Sequence, residues 1–204
     1  MSALTNPDPV AALLRTGTAT TVAMLLDAFH RAAANADLNT YMGCYYSTES
    51  RFLGTDAQEH WLITEFYGYS KPHFDAGKAW TYTPRAASRK ITELVCGGGV
   101  PRIAAFDELL DSESFVCTTR GTGTAIFDGS HWFLLSYHLS FPTPNDIAED
   151  ICKRIVVFEK KTATYAAAAK ADAAAAALLA ELELEEESGG AKQSSNSSKK
   201  KKGR

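Results

Sequence analysis

A chain of 204 residues, 45% of them hydrophobic, is long enough for one domain with a proper core plus appendages and too short for a second full domain. Its formal net charge of −3 is uneven: residues 1–159 carry 12 Lys/Arg against 18 Asp/Glu, a net of −6, and residues 160–204 carry 9 against 6, a net of +3. The acidic body argues against a nucleic-acid surface, and no apolar run approaches the ~20 residues of a bilayer crossing.

Residues 1–19 form an N-terminal segment without a basic stretch followed by an apolar block, so no leader is expected and a soluble cytoplasmic protein is. The first helical pattern runs from about Thr20 to Asn35, with Val22, Leu25, Leu26 and Phe29 on one side, and a second covers Leu38 to Tyr46. Arg51 to Thr55 reads as a brief strand entering a loop at Gly54 to His60. Thr64 is placed to cap a third helix, Glu65 to Phe74, whose last turn Pro72 makes irregular. Lys78 to Thr83, Ser88 to Val95 and Ile103 to Leu110 read as strands, with Gly97-Gly98-Gly99 a flexible connection and a turn at Asp111 to Ser114. Cys44, Cys96, Cys117 and Cys152 are widely separated with no histidine at ligand spacing, so they are expected as buried small apolar residues in a reducing compartment rather than a zinc site or disulfides.

Arg120 to Asp146, RGTGTAIFDGSHWFLLSYHLSFPTPND, is the most informative stretch. Asp128-Gly129 suits a tight hairpin turn, and Trp132, Phe133, Tyr137 and Phe141 suit a pleated, half-buried surface. Alternation puts Phe133, Leu135, Tyr137, Leu139 and Phe141 on one face and Trp132, Leu134, Ser136, His138 and Ser140 on the other. Gly121 and Gly123 leave one face of the first strand bare, which implies close approach by a helix, a partner subunit or a ligand. Helices first and antiparallel strands afterwards is an α+β order in which the helices fold onto a curved sheet that closes part-way into a cone, with a small-molecule pocket at its mouth.

Beyond Pro144 the pattern is helical, with Asn145 as cap and Ile147, Ile151, Ile155 and Phe158 in a stripe expected to dock on the domain. The domain is therefore bounded at 20–158. Residues 159–188 form an alanine-rich helical extension with coiled-coil character, ended by Ser188-Gly189-Gly190, and residues 189–204 are expected to be a disordered basic tail.

The segments AFHRAAANADL (Ala28 to Leu38), FLGTD (Phe52 to Asp56), FDELLD (Phe106 to Asp111), and RGTG with HWFLLSYHLSFPTPND resemble a SnoaL-like domain of the nuclear transport factor 2-like superfamily, over roughly Val22 to Ile151. The resemblance implies a cystatin-like cone: a strongly bent antiparallel sheet on N-terminal helices, often dimeric through its outer face. The family hosts isomerases, cyclases, dehydratases and non-enzymatic binding or assembly domains, so it implies a pocket rather than a reaction. The Trp of the last strand in such relatives points into the cone. That would put Trp132, Leu134, Ser136, His138 and Ser140 on the pocket side and make Phe133, Leu135, Tyr137 and Leu139 a homodimer interface. Phe133 and Leu135 stand where an exposed strand would carry a polar residue, which leaves two arrangements: a strongly apolar interface, or a reversed register with His138 outward.

His138 is the acid/base candidate, with Asp107 or Glu108 as the carboxylate that fixes its tautomer; the alternative is a satisfied core histidine. Arg120 at a pocket mouth would bind a carboxylate or enolate, unless it forms an outer-face ion pair with Asp107 or Glu108. Trp132, Trp61, Tyr82 and Arg120 are the expected pocket residues, and Trp80 is a further aromatic that either lines it or belongs to ordinary core. No metal or cofactor is implied, and GTGTAIFDG lacks the strand-to-helix context of a phosphate loop. Three functions are in contention. One is a homodimeric module that binds a small apolar or carbonyl-containing ligand or assembles with a protein through its C-terminal helix. The second is an isomerase, dehydratase or hydrolase, and the third an adapter whose Lys199 to Lys202 tail makes weak nucleic-acid contact or directs the chain to the nucleus.

Overall fold

The structure, a computed structural model, describes residues 9–94 and 102–194, with side chains up to Leu178. It falls into two units, residues 1–142 and 143–204. In the first, α1 (Val22–Ala34) begins where the Thr21 hydroxyl accepts a bond from the Met24 amide at 3.2 Å, and it buries Val22, Leu25, Leu26 and Phe29. The short α2 (Leu38–Gly43) starts in the same way from the Asp37 carboxylate, which accepts from the Thr40 amide at 3.1 Å. Helix α3 (Ile63–Asp75) begins one residue before Thr64, so the expected threonine cap is not used. The Glu65 carboxylate accepts from the Leu62 amide at 2.8 Å instead, and Pro72 sits in the last turn, just before the helix ends at Asp75.

Seven strands form one curved, unclosed sheet. They are β1 (Arg51–Leu53), β2 (His60–Leu62), β3 (Tyr82–Pro84), β4 (Lys90–Leu94), β5 (Ile103–Ser112), β6 (Thr119–Phe127) and β7 (Trp132–Ser140), in the order β2-β1-β7-β6-β5-β3, with β4 also on β5. All pairs are antiparallel except β1 with β7, so the α+β cone is mixed at one pair. The strand expected at Lys78 to Thr83 is reduced to Tyr82–Pro84, and the turn expected from Asp111 begins only after Ser112.

The hairpin departs from simple alternation at two points. Its loop has four residues, Asp128 to His131, because the Asp128 carboxylate accepts from the amides of Ser130 (2.8 Å) and His131 (2.9 Å) and so satisfies a longer turn. Those two bonds hold the Asp128 carboxyl below its ordinary pKa. Within the ladder Thr124 faces Ser136 while Ala125 faces Leu134, so Leu135 is an extra residue, a β-bulge. The bulge reverses the parity of every residue after it. Trp132 and Leu134 point into the core as the resemblance implied, but so do Tyr137 and Leu139, leaving Ser136, His138 and Ser140 outside.

The close approach to the glycines of β6 comes from residues of the neighbouring strands β5 and β7. Tyr137 closes over Gly121, and a Cβ on Gly123 would lie 2.7 Å from the Phe106 ring. Phe133 is buried on the opposite side, where the N-terminal segment crosses it: Trp132 donates to the Ala19 carbonyl at 2.8 Å and Gly17 to that of Gly43 at 3.2 Å. The described part of residues 1–19 is thus integral to the domain, with Val10 in its core.

The second unit contains α4, Asn145–Ser194, a single helix of 50 residues. It does not stop at Ser188-Gly189-Gly190; glycine costs a helix interior about 1 kcal/mol but, unlike proline, removes no amide. Ile147, Ile155 and Phe158 are exposed. The Lys199 to Lys202 block, Cys96 and Gly97-Gly98-Gly99 lie outside the described residues. No helix among the described residues is long and apolar enough to cross a membrane.

Candidate functional site

The outer face of the sheet receives most of the residues expected to act. Asp107, Thr122 and His138 occupy one row across β5, β6 and β7, so His138 and Asp107 are two strands, about 10 Å, apart. The imidazole is exposed, and the expected acid/base pair is not assembled. Arg120 shares this face and meets Asp107 at 3.4 Å with both side chains over 40% exposed (44% and 41%), the outer-face ion pair rather than a pocket-mouth guanidinium. The parity change also corrects the expected dimer stripe. Phe133, Tyr137 and Leu139 are at most 5% exposed inside their own chain, and Leu135 is the half-buried bulge. None of the first three is available to a partner.

On the inner face the chain builds an aromatic cavity of about 190 Å³, room for a compact ring-sized molecule. Its floor is Phe52 of β1, Phe66 of α3 and Leu139 of β7. Trp61 of β2, Tyr69 of α3, Trp80 and Tyr82 form the walls, and Thr55, Glu59, Ser114 and Phe115 the rim. Phe52 and Phe66 stack with centroids 4.0 Å apart and Trp61 stacks on Tyr69 at 4.8 Å, so the rings brace one another. Two of the four expected pocket residues, Trp61 and Tyr82, are brought together here, along with Trp80. Trp132 is instead deep core against Phe127, with the Arg102 guanidinium 5.4 Å from its ring. Burial pushes the Tyr82 hydroxyl above its ordinary pKa, reinforced by Tyr69 and by the Glu59 carboxylate, so the cavity interior disfavours negative charge.

Deeper on the same face lies a charged chain that the sequence reading did not assemble. His30 Nε2 and Glu108 Oε1 are 2.6 Å apart; Arg89 donates from Nε to Glu108 Oε2 at 2.7 Å and from Nη1 to Asp27 at 2.7 Å. The Glu108 side chain is 0% exposed. Burial alone would raise its pKa, but His30 and then Arg89 more than offset that and hold it below the ordinary value. An ionised Glu108 requires the His30 Nε2 to carry the bridging proton. The signal was present in the strand: Ala104, Phe106 and Leu110 alternate inward, which puts Glu108, not Asp107, in the core. His30 follows Leu26 by one helical turn on the buried side of α1. Tyr137 lies 6.0 Å from His30, centroid to centroid, and its buried hydroxyl has no hydrogen-bond partner; burial and then the Glu108 charge raise its pKa.

The cysteines divide by location. Cys44 is buried, its thiol donating to the Thr40 carbonyl at 3.3 Å and pushed up to about 12 by burial, which makes it inert as a nucleophile. Cys117 and Cys152 are free and exposed, against the expectation of burial.

A curved sheet wrapped on N-terminal helices around an aromatic hollow makes the first unit a cone-shaped α+β domain. The chain belongs to the SnoaL-like domain family, whose sequence profile matches residues 22–144. No curated protein matches it. Among solved structures it is similar to a protein from Thiobacillus denitrificans named for the calcium/calmodulin-dependent protein kinase type II association domain (14% identity, 62% of this chain and 99% of that one, TM-score 0.42). Two others are a nuclear transport factor 2-like protein of unknown function from Shewanella oneidensis (16%, 58% and 95%, TM-score 0.41) and a superfamily member from Salmonella enterica (14%, 61% and 91%, TM-score 0.41).

Proposed function

We propose that the domain is a binding module for small, largely apolar molecules that enter the cavity walled by Trp61, Tyr69, Trp80 and Tyr82. The observation that carries this reading is the cavity itself, about 190 Å³ lined mainly by aromatic side chains with a few polar groups at its rim. An apolar concavity with sparse polar groups is the usual form of a small-molecule site, and this one lies below the ~300–1,000 Å³ of drug-sized pockets. Enzymatic use is less well supported, because His138 and Asp107 stand apart on the other face and no imidazole lines the cavity among the described residues. A dimer through the outer stripe loses its motive with Phe133, Tyr137 and Leu139 buried.

Indole is a suitable probe, being rigid, aromatic and close to the cavity in size. Calorimetric titration should give saturable one-site binding to the full chain, and Ser114→Trp, a substitution at an exposed rim position, should abolish it while leaving the thermal midpoint in place. Indole that fails to bind, or binds Ser114→Trp equally well, overturns the reading.

A further inference from the structure

The charge of the lining narrows the ligand class. Glu59 brings a carboxylate to the rim, and among the described residues no Lys, Arg or His lines the cavity. The carboxylate is held in place by the loop it belongs to: Glu59 Oε2 accepts from the Asp56 amide at 3.1 Å, the Gly54 amide donates to the Glu59 carbonyl at 2.8 Å, and the side chain packs over Gly54. That close approach explains glycine at position 54, since a Cβ there would collide with the Glu59 side chain. The influence of Glu59 reaches the interior, because it contributes to raising the Tyr82 hydroxyl on the facing wall. The remaining walls are the rings of Trp61, Tyr69, Trp80 and Tyr82, whose π-faces are electron-rich. His73 stands beside Tyr69 and Trp80, with ring centroids 5.3 and 6.3 Å away, and is outside the lining.

A cavity of aromatic faces with one fixed carboxylate and no cation attracts positive charge twice over, through the ring quadrupoles and through the carboxylate, and repels anions. We infer that the cavity selects organic cations, with a quaternary or alkylated ammonium group among Trp61, Tyr69, Trp80 and Tyr82 and Glu59 as its counter-charge. This rests on the reading of the cavity as the binding site and adds the charge of its ligand. An alkylated ammonium is weakly hydrated and bulky, so it loses little on leaving water and fills an apolar volume that a bare ammonium would not.

The test uses choline and its uncharged carbon isostere, in which the quaternary nitrogen is replaced by carbon, titrated into the full chain beside indole. Choline should bind about two- to thirty-fold more tightly than the isostere, the range of a cation held over aromatic faces. Glu59→Gln keeps the oxygen that accepts from Asp56, so it should preserve the loop and weaken choline more than it weakens the isostere or indole. Equal or tighter binding of the uncharged isostere, with indole still bound, overturns the charge inference and leaves the cavity reading standing. A choline preference that survives Glu59→Gln removes the carboxylate from its stated role. Failure of all three probes to bind overturns both readings together.

Discussion

A histidine, an acid and an arginine lie at each face of the sheet, the inner histidine coming from α1 and the inner arginine from the residue before β4, and the two sets behave as opposites. Inside, His30, Glu108 and Arg89 are linked at 2.6 and 2.7 Å around a carboxylate with no solvent exposure. Outside, Arg120 and Asp107 meet at 3.4 Å in water and His138 is two strands from the acid. Residue type is the same in both; solvent decides the strength. Water screens the outer pair and competes for its hydrogen bonds, whereas in the core each charge has only its partners, so removing one leaves the others stranded.

The largest effect that would expose this contrast is the loss of Glu108. Glu108→Ala strands His30 and the Arg89 guanidinium in the core and should lower stability by about 3–5 kcal/mol in urea denaturation. Asp107→Ala, one residue away on the wet face, should cost less than about 1 kcal/mol. Similar losses for the two variants would break the comparison. Next in size, Gly121→Ala forces a methyl group against the buried Tyr137 ring and should cost about 1–3 kcal/mol. Adding Tyr137→Phe should recover part of that, since the hydroxyl it removes is the atom that crowds Gly121 and has no hydrogen-bond partner.

Acid sharpens the same comparison. The folded-state pKa of Glu108 lies below its ordinary carboxylate value, so its contribution to stability is complete above that value and is lost as the pH falls through the depressed one. Denaturation midpoints measured from neutral pH downward should therefore fall more steeply for the native chain than for Glu108→Gln; parallel curves would show that the inner carboxylate is not held ionised by its partners. The smallest effect is on the outer face. His138→Ala should shift stability by no more than about 0.5 kcal/mol and leave indole binding unchanged. A larger change in either would return His138 to the list of functional residues.

Much of this fold was legible in order and kind. Helix α1 and the hairpin announced themselves through the spacing of Val22, Leu25, Leu26 and Phe29 and through the Asp128-Gly129 pair, because amphipathic periodicity and turns are local chemistry that neighbouring residues decide. The site was legible only in part. Of the expected pocket residues Trp61 and Tyr82 reach the cavity and Trp132 and Arg120 do not; Trp80, left open between pocket and core, joins them, but Phe52, Phe66, Tyr69 and Glu59, which complete the cavity, come from elements that meet only when the sheet bends over α3. Alternation along β7 failed at Leu135, where one bulged residue turned Tyr137 and Leu139 inward and His138 outward. A bulge is a property of two strands in register, and nothing in a single strand's sequence marks it.

By itself, then, the sequence determined a helix-first α+β domain, a long β-hairpin after Thr119 and a helical C-terminal extension, since each follows from local propensity and the pattern of apolar residues, and it pointed to the family through the segments that resemble it. Tertiary structure alone decided which histidine is buried, which acid it meets, and which aromatic rings share a cavity. Those outcomes depend on pairing register and on exclusion of water, both set by residues distant in the chain: Glu108 and His30 are 78 positions apart and yet within one hydrogen bond.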